Sequence, residues 1–557
     1  MSNERRYSLI FLFICSVLFL SSVSTLFHGF PDTERFFAEW MDERMALTVI
    51  MKFGTLNFSP TEVFHPPLYH YLVFIAIAVF FSIGKLVGLF HDKIQFLQFY
   101  FNNTHYFFLI GRVMTYIFYW LSAIMVFKIC RLFYGKLISY ITTLSYLLIP
   151  RFVIDFCTMR PETLLFLNAS IFFYLFLKYY LDNKQRKYLF LAAFFLGIST
   201  ATKYNAIFLG VIFIPISVTF LKNKNYKEFL TVCLKIGFFI FLGFFICDPF
   251  FIIHFGTYFH NLATYSRVEA AYYWGNQPAA FGLTHIKELN SLMYINLFGF
   301  LILLLGAWRL FRKDKRLFIL AFFPILIYEF YFIIFQRYYS PLRYLNPLLP
   351  IIALIFSSGV DFVITLHKKL ILILAIFGLI LFYNYCDIWW GLSARKTYIQ
   401  KARAFIEKTI PEFTTICVTS RSRIPQLNMT RESYSRFIKS PFVRQNIKGH
   451  EICYKKMDDE EKYDGVFKEL RIASLAKRPQ YNLIEWSKGI KTEEEAVKFL
   501  NDNNIKYIIS IEPCMINNKK IENTEIASLV AMFEPKNKRV WGWTEPYLFK
   551  VYLYKVK

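Results

Sequence analysis

The sequence predicts an α-helical polytopic membrane protein with about eleven transmembrane helices, further surface or re-entrant helices, and a small C-terminal α/β domain outside the cytoplasm. Three observations predict it. Of 557 residues, 56% are hydrophobic and 20% aromatic, while only 18% are charged, against about a quarter in ordinary soluble chains. The apolar residues gather into runs such as Tyr7–Phe27, Phe229–Cys247 and Leu370–Trp390, each about 18 to 21 residues and able to cross roughly 30 Å of hydrocarbon as a helix. The formal charge of +25 is concentrated: before residue 391, most of the excess stands in short loops between those runs, where it orients helices in a bilayer. Together these exclude a water-soluble enzyme, a disordered chain and a secreted disulfide scaffold, and helices this long exclude an outer-membrane barrel. A transporter, a channel, a receptor or a membrane-embedded enzyme remains.

Taken in order, the apolar runs cover 7–27, 66–88, 106–127, 137–153, 162–180, 188–201, 206–221, 229–247, 291–310, 317–335, 347–366 and 370–390. If all of them crossed, and Arg5-Arg6 lay inside, every basic cluster from Lys128–Lys136 onward would lie outside, against the positive-inside rule. Removing one crossing between residues 28 and 105 places Lys128–Lys136, Lys184–Lys187, Lys222–Lys227, Arg312–Arg316 and Lys368-Lys369 inside. The segment 66–88 is the one to remove: it opens His65-Pro66-Pro67 and carries Tyr69, His70, Tyr71 and Lys85, so it reads as a surface or re-entrant helix. The N-terminus then lies in the cytoplasm. Tyr7–Phe27 is a retained first helix, since no good small-residue cleavage site follows it.

The same parity divides the chain into a membrane domain, 1–390, and an extracytoplasmic domain, 391–557. The latter holds 31 Lys+Arg against 20 Asp+Glu. Lys396–Lys408 has helical periodicity and leads through Pro411 to a strand at Thr415–Val418; Glu493–Asn501 is a second helix feeding a strand at Tyr507–Ser510; Tyr547–Val556 alternates as a terminal strand. Nine cysteines are scattered without a CxxC pair, and Cys417, Cys453 and Cys514 could supply one disulfide if this domain faces an oxidising compartment.

Candidate chemistry converges on the outer face. Asp32 and Glu34, in Pro31-Asp32-Thr33-Glu34-Arg35, open an amphipathic stretch; they read as a helix cap and a first-turn acid, or as a general base towards an acceptor hydroxyl. Asp42-Glu43 is the reserve pair. His65 precedes a proline pair that fixes a helix entry. Arg112 and Arg160 stand at a depth where guanidinium is costly unless it meets a carboxylate or phosphate; Arg160 paired with Glu162 or Asp155 is the structural alternative. Lys203 and Arg343 either join a phosphate site or snorkel to the interface. His28, Asp32, Glu34 and His65 include metal-ligand types, but no ligand spacing supports a site, so a divalent metal is possible but not indicated and no cofactor is certain. No nucleotide-binding or nucleophile-elbow motif appears.

The order of an outer acidic motif after the first helix, His65-Pro66-Pro67-Leu68-Tyr69, Arg160-Pro161-Glu162, Thr202-Lys203-Tyr204-Asn205 and Arg343-Tyr344-Leu345-Asn346-Pro347 resembles the GT-C superfamily over residues 1–366. The chain is similar there to bacterial phospholipid-carrier-dependent glycosyltransferases, relatives of protein O-mannosyltransferases and lipid A aminoarabinose transferases. The resemblance implies a polyprenyl-phosphate-linked sugar donor, an acidic base in the first outer loop, and cations on the donor phosphate. By position, Asp32 matches the family acid, His65 falls where aminoarabinose transferases have lysine, Arg112 matches the arginine opening the second crossing, and Glu162 matches the acid of the second outer loop. Two departures stand out: the family has adjacent Asp-Glu where this chain has Asp32-Thr33-Glu34, and the span from Asp32 to Gly54 is about two helical turns long by comparison. The expectation is an inner-membrane glycosyltransferase acting on a glycan, lipid or protein acceptor, without nucleic acid. A transporter or flippase of an amphiphilic substrate is the alternative class, for which midplane charges and internal symmetry would speak; a membrane anchor displaying 391–557 is a third.

Overall fold

The computed structural model describes residues 3–27, 46–47, 49–51, 53–54, 56, 58, 66–182, 185–216, 226–253, 255–256, 295–335, 346–366, 371–394, 398–419, 427–430, 433, 479–486, 490, 492–510, 513–517, 519–534 and 550–557. The chain divides into two compact units: residues 1–26, 49–74 and 111–388 form one, and 27–48, 75–110 and 389–557 form the other.

In the first unit the helices are α1 (Asn3–Val23), the start of α2 (Leu68–Leu86), most of α4 (Thr104–Arg131), α5 (Lys136–Leu147), α6 (Pro150–Phe156), α7 (Glu162–Leu181), α8 (Arg186–Thr200), α9 (Tyr226–Cys247), the short α10 (Phe250–Ile253), α11 (Asn296–Lys313), α12 (Lys315–Phe335), α13 (Leu349–Leu366) and most of α14 (Ile371–Ala394). Their ends are tied into two polar layers. One layer joins Lys136 to Glu4 (3.0 Å), Arg131 to the Tyr134 carbonyl (2.9 Å), the Lys313 ammonium to the Tyr134 ring (5.7 Å), and the Tyr180 hydroxyl to Asp314 (3.1 Å). It also contains the ion pairs Arg186–Glu228 and Arg309–Asp361. The other layer joins Arg112 to the Leu26 carbonyl (3.2 Å), Lys203 to Glu162 (3.2 Å), Asn168 to Thr202 (3.1 Å) and Asn205 to Tyr328 (2.6 Å).

By length and composition alone, seven described helices can cross a membrane, one of them α2, and up to eight if the α5–α6 pair is one span. The basic turns around Lys136, Arg186 and Lys313 belong to the first layer.

Three segments differ from the helices expected. The run 137–153 is two helices bent by 63°, because Pro150 has no amide hydrogen and sits in the first turn of α6. The run 206–221 begins as a nine-residue 3-10 helix, Tyr204–Ile212; at about 2.0 Å per residue it gains more length than an α-helix of equal count. The run 66–88, expected as a surface or re-entrant helix that does not span, is a single helix, Leu68–Leu86, which by length and composition is able to cross. Its part from Ile75, with α3 (Lys93–Asn102) and the start of α4, belongs to the second unit with residues 389–557.

Glycine sets two of the closest helix contacts. A methyl group on Gly197 of α8 would collide with the Ile240 carbonyl of α9, and one on Gly243 with the Phe194 carbonyl; Gly306 of α11 and Gly359 of α13 abut each other's helix backbones in the same way. Backbones this close gain dispersion contact that lipid does not offer as specifically. α8 and α9 are parallel, since Arg186 meets Glu228, Phe190 stacks on Phe239 and Phe194 meets Gly243. α11 and α13 are parallel too, from Ile302–Gly359 to Arg309–Asp361.

In the second unit, a six-stranded sheet has the order β2-β3-β1-β4-β8-β7, with β1 Thr415–Val418, β2 Asn428–Met429, β3 Gln480–Glu485, β4 Tyr507–Ser510, β7 Ala527–Phe533 and β8 Val551–Val556; β5 Met515–Ile516 and β6 Lys519–Lys520 form a separate ribbon. β2, β3, β1 and β4 are parallel, and β8 and β7 extend them antiparallel. Alternation along the strands builds two cores. Ile416, Val418, Ile509 and Leu553 face helix α15 (Tyr398–Thr409) through Ala402 and Ile406. Cys417, Ile508 and Tyr554 face helix α16 (Glu493–Asp502) through Ala496 and Leu500. Helix α16 starts with a capping box in which the Thr492 hydroxyl and Glu495 carboxylate accept from each other's backbone N–H. Cys417 and Cys514 lie in one core and form no bridge with each other; Cys453 lies outside the described residues.

Candidate functional site

The second polar layer of the membrane unit brings together the link residues singled out in the sequence. α6 is buried along its whole length. It carries Arg151 and Asp155, whose side chains pair at 3.6 Å one helical turn apart. The chain then turns through Thr158, whose hydroxyl donates to the Ile154 carbonyl (2.8 Å), into Met159-Arg160-Pro161. Met159 packs on Gly111, where any larger residue would displace it, so the Arg160 link lies against the turn of α4 that carries Arg112.

Pro161 precedes α7, and Glu162 occupies its first turn, where a carboxylate is favoured by the exposed N–H groups. Across from it, α8 ends at Thr200 and Thr202-Lys203 turn inward. Lys203 and Glu162 are both buried and pair at 3.2 Å. Lys203 therefore does not snorkel to the interface, and Glu162 pairs with Lys203 while Asp155 pairs with Arg151. Thr202 is held by Asn168 of α7, whose amide donates to its hydroxyl at 3.1 Å.

Arg112 is 1% exposed and its guanidinium donates to the Leu26 carbonyl at 3.2 Å. Tyr69, at the start of α2, bonds the Thr115 hydroxyl (3.0 Å), one turn along α4 from Arg112. Asp248, at the end of α9, is fully buried and close enough to Tyr71 and Tyr204 for its charge to act on both. The layer thus concentrates buried Arg112, Arg151, Arg160 and Lys203 with Asp155, Glu162 and Asp248. Buried charge at this density is expensive unless it is paired or serves a charged ligand. The Thr163 hydroxyl and the Asn346 amide nitrogen are buried and have no hydrogen-bond partner among the described residues, so each has hydrogen-bonding capacity left for a ligand.

Of the residues chosen from sequence, the structure brings Arg112, Arg160, Glu162 and Lys203 into this layer. Asp32, Glu34, Asp42, Glu43, His65 and Arg343, and His28 of the metal alternative, lie outside the described residues. No cluster of three metal-ligating side chains occurs among the described residues. Arg151, Asn168, Tyr328 and Asp248 were not chosen, and Thr202 and Asn205 entered only as members of the Thr202-Lys203-Tyr204-Asn205 motif. Of the four, Asp248 carried a signal, as a carboxylate ending an apolar run immediately before a proline.

Residues 108–250 match the family model described as dolichyl-phosphate-mannose-protein mannosyltransferase. That interval contains Arg112, Arg151, Asp155, Arg160, Glu162, Lys203 and Asp248. The resemblance noted in the sequence is thus matched over a defined segment. No curated protein matches the chain. Among solved structures, apo ArnT from Cupriavidus metallidurans is similar at 12% identity and TM-score 0.47, covering 77% of this chain and 87% of that one. ArnT from the same organism bound to undecaprenyl phosphate gives 11%, 0.45, and 98% of each chain. The Archaeoglobus fulgidus oligosaccharyltransferase with zinc and sulfate gives 13%, 0.43, and 89% of this chain against 67% of that one.

Proposed function

We propose that this protein is an integral-membrane glycosyltransferase that moves a sugar from a polyprenyl-phosphate-linked donor to an acceptor hydroxyl on the outer face of the cytoplasmic membrane. One observation carries the reading: the buried cations and carboxylates of one polar layer fall inside the segment that matches a family described by a lipid-phosphate sugar. In the reaction, the bond from the anomeric carbon to the acceptor oxygen forms as the bond to the phosphate oxygen breaks. The leaving phosphate takes the electron pair, and the acceptor proton passes to a carboxylate.

Arg112 and Arg160 would meet the developing phosphate charge, Arg by a bidentate fork that Lys cannot reproduce. Lys203, paired with Glu162 in the same layer, would add a third cation. Fixed positive charge in a water-poor site stabilises such a leaving group strongly. Asp32, with Glu34 beside it and Asp42-Glu43 in reserve, would serve as base; His65 and Arg343 complete the proposed phosphate contacts. The N-terminus lies in the cytoplasm on this reading and residues 391–557 outside it.

The test is transfer by detergent-purified protein from a panel of polyprenyl-phosphate sugars, in wild type, Asp32→Asn and Asp42→Asn. A rate loss of about 10² to 10⁴ in Asp32→Asn is the scale of a positioned general base. Loss in Asp42→Asn alone would move the base to the reserve pair. Wild type inert with every donor, or both variants fully active, would overturn the proposal.

A further inference from the structure

We propose that the turn between α11 and α12 is a binding site for an anionic phospholipid of the bilayer leaflet on that side. The turn reads Trp308-Arg309-Leu310-Phe311-Arg312-Lys313-Asp314-Lys315-Arg316. Arg309 is committed to Asp361 and to the Thr365 hydroxyl (2.7 Å). Asp314 is committed as well: it accepts from the Tyr180 hydroxyl and from the Leu317 N–H, and so caps α12.

Arg312, Lys313, Lys315 and Arg316 are exposed, and none forms an ion pair with a carboxylate among the described residues. Three of them lie over aromatic rings: Arg312 on Trp308 at 5.7 Å, Lys313 on Tyr134 at 5.7 Å, and Lys315 on Phe311 at 5.5 Å. Such contacts hold the charges near the ring faces at modest energy and leave their N–H groups available. The other basic turns of this layer use cations on protein acceptors, Lys136 on Glu4 and Arg186 on Glu228.

Below the cations, Leu297, Leu301, Leu304, Trp308 and Phe311 are exposed along α11, spaced by three and four residues on one helix face. An apolar stripe that runs nearly the whole length of α11 and ends in four clustered cations offers acyl-chain contact beneath an anionic headgroup site. Trp308 sits at the boundary, where an amphipathic ring is favoured.

The experiment is native mass spectrometry of the full-length protein in a neutral detergent, titrated with phosphatidylglycerol, phosphatidylcholine or inorganic phosphate. Phosphatidylglycerol is expected to bind at least tenfold more tightly than phosphatidylcholine, and inorganic phosphate not to displace it. Arg312→Gln/Lys315→Gln is expected to weaken phosphatidylglycerol roughly fivefold for each charge removed. Trp308→Ala, which keeps every orienting charge, should also weaken it, whereas Lys203→Gln in the opposite layer should not. Equal binding of the two lipids, full displacement by inorganic phosphate, or unchanged affinity in both turn variants would overturn the proposal.

Discussion

Lys203 and Glu162 stand 3.2 Å apart with side chains 7% and 5% exposed, which makes their pairing measurable. At that separation and an effective dielectric of about 20, the attraction is about 5 kcal/mol. Most of it is offset by the cost of removing both charges from water, but removing one partner leaves the other buried without it, at about 3–5 kcal/mol. Lys203→Met and Glu162→Gln should each lower stability on that scale, and the double variant should recover part of the loss. The coupling energy expected from the cycle is about 2–3 kcal/mol, read from urea or thermal unfolding in one detergent. Strict additivity, with coupling below about 0.5 kcal/mol, would show that the two charges do not rely on each other and would refute the pairing. The cycle also separates folding from chemistry. If Lys203 contributes to the donor phosphate, the double variant should regain stability but not transfer; regained transfer would confine Lys203 to a structural role.

Further outcomes follow from other contacts. Gly197→Ala should destabilise by about 1–3 kcal/mol through overpacking against the α9 backbone, whereas Gly237→Ala, which meets no neighbouring atom, should be near neutral; melting of both purified variants compares them. Burial pushes the Cys514 thiol from 9.0 to about 11. Because the unfolded chain releases that proton first, stability of the C-terminal domain should be unaffected below pH about 9 and fall as pH rises towards about 11; Cys514→Ala should remove that part of the alkaline loss, and reaction with a thiol reagent at pH 7.5 should await unfolding. Single cysteines at Lys315 and Lys498 should label from opposite sides of intact cells or vesicles, and labelling of both from one side would contradict the orientation.

The apolar helices were legible because a membrane span must satisfy its backbone internally and present apolar side chains over about 20 residues. What hydropathy cannot register is geometry within an apolar run. Pro150 breaks one expected helix into two without changing its composition, and Tyr204–Ile212 adopts a tighter helix with the same apolar content. In the C-terminal domain, Thr415–Val418 and Tyr507–Ser510 stood out as short β-branched or aromatic runs. β7 did not, because it is an edge strand with both faces partly exposed, so its sequence shows no clear two-residue alternation.

At the site the same division holds between residue type and partner. Arg112, Arg160 and Glu162 could be picked out because a charge at the end of an apolar helix needs a reason. Which carboxylate meets which cation could not be read. The partner of Lys203 is 41 positions away, on a helix whose distance from it depends on the packing of α7 against α8. Arg151 looked like an ordinary polar residue ending an apolar run, and Asp155 only like a possible partner of Arg160, until the bend at Pro150 turned their helix into the layer. The local sequence therefore announces that charge must be accommodated, and the bundle decides how; a substitution that shifts α7 against α8 without touching a charge should disturb the site as surely as removing Lys203.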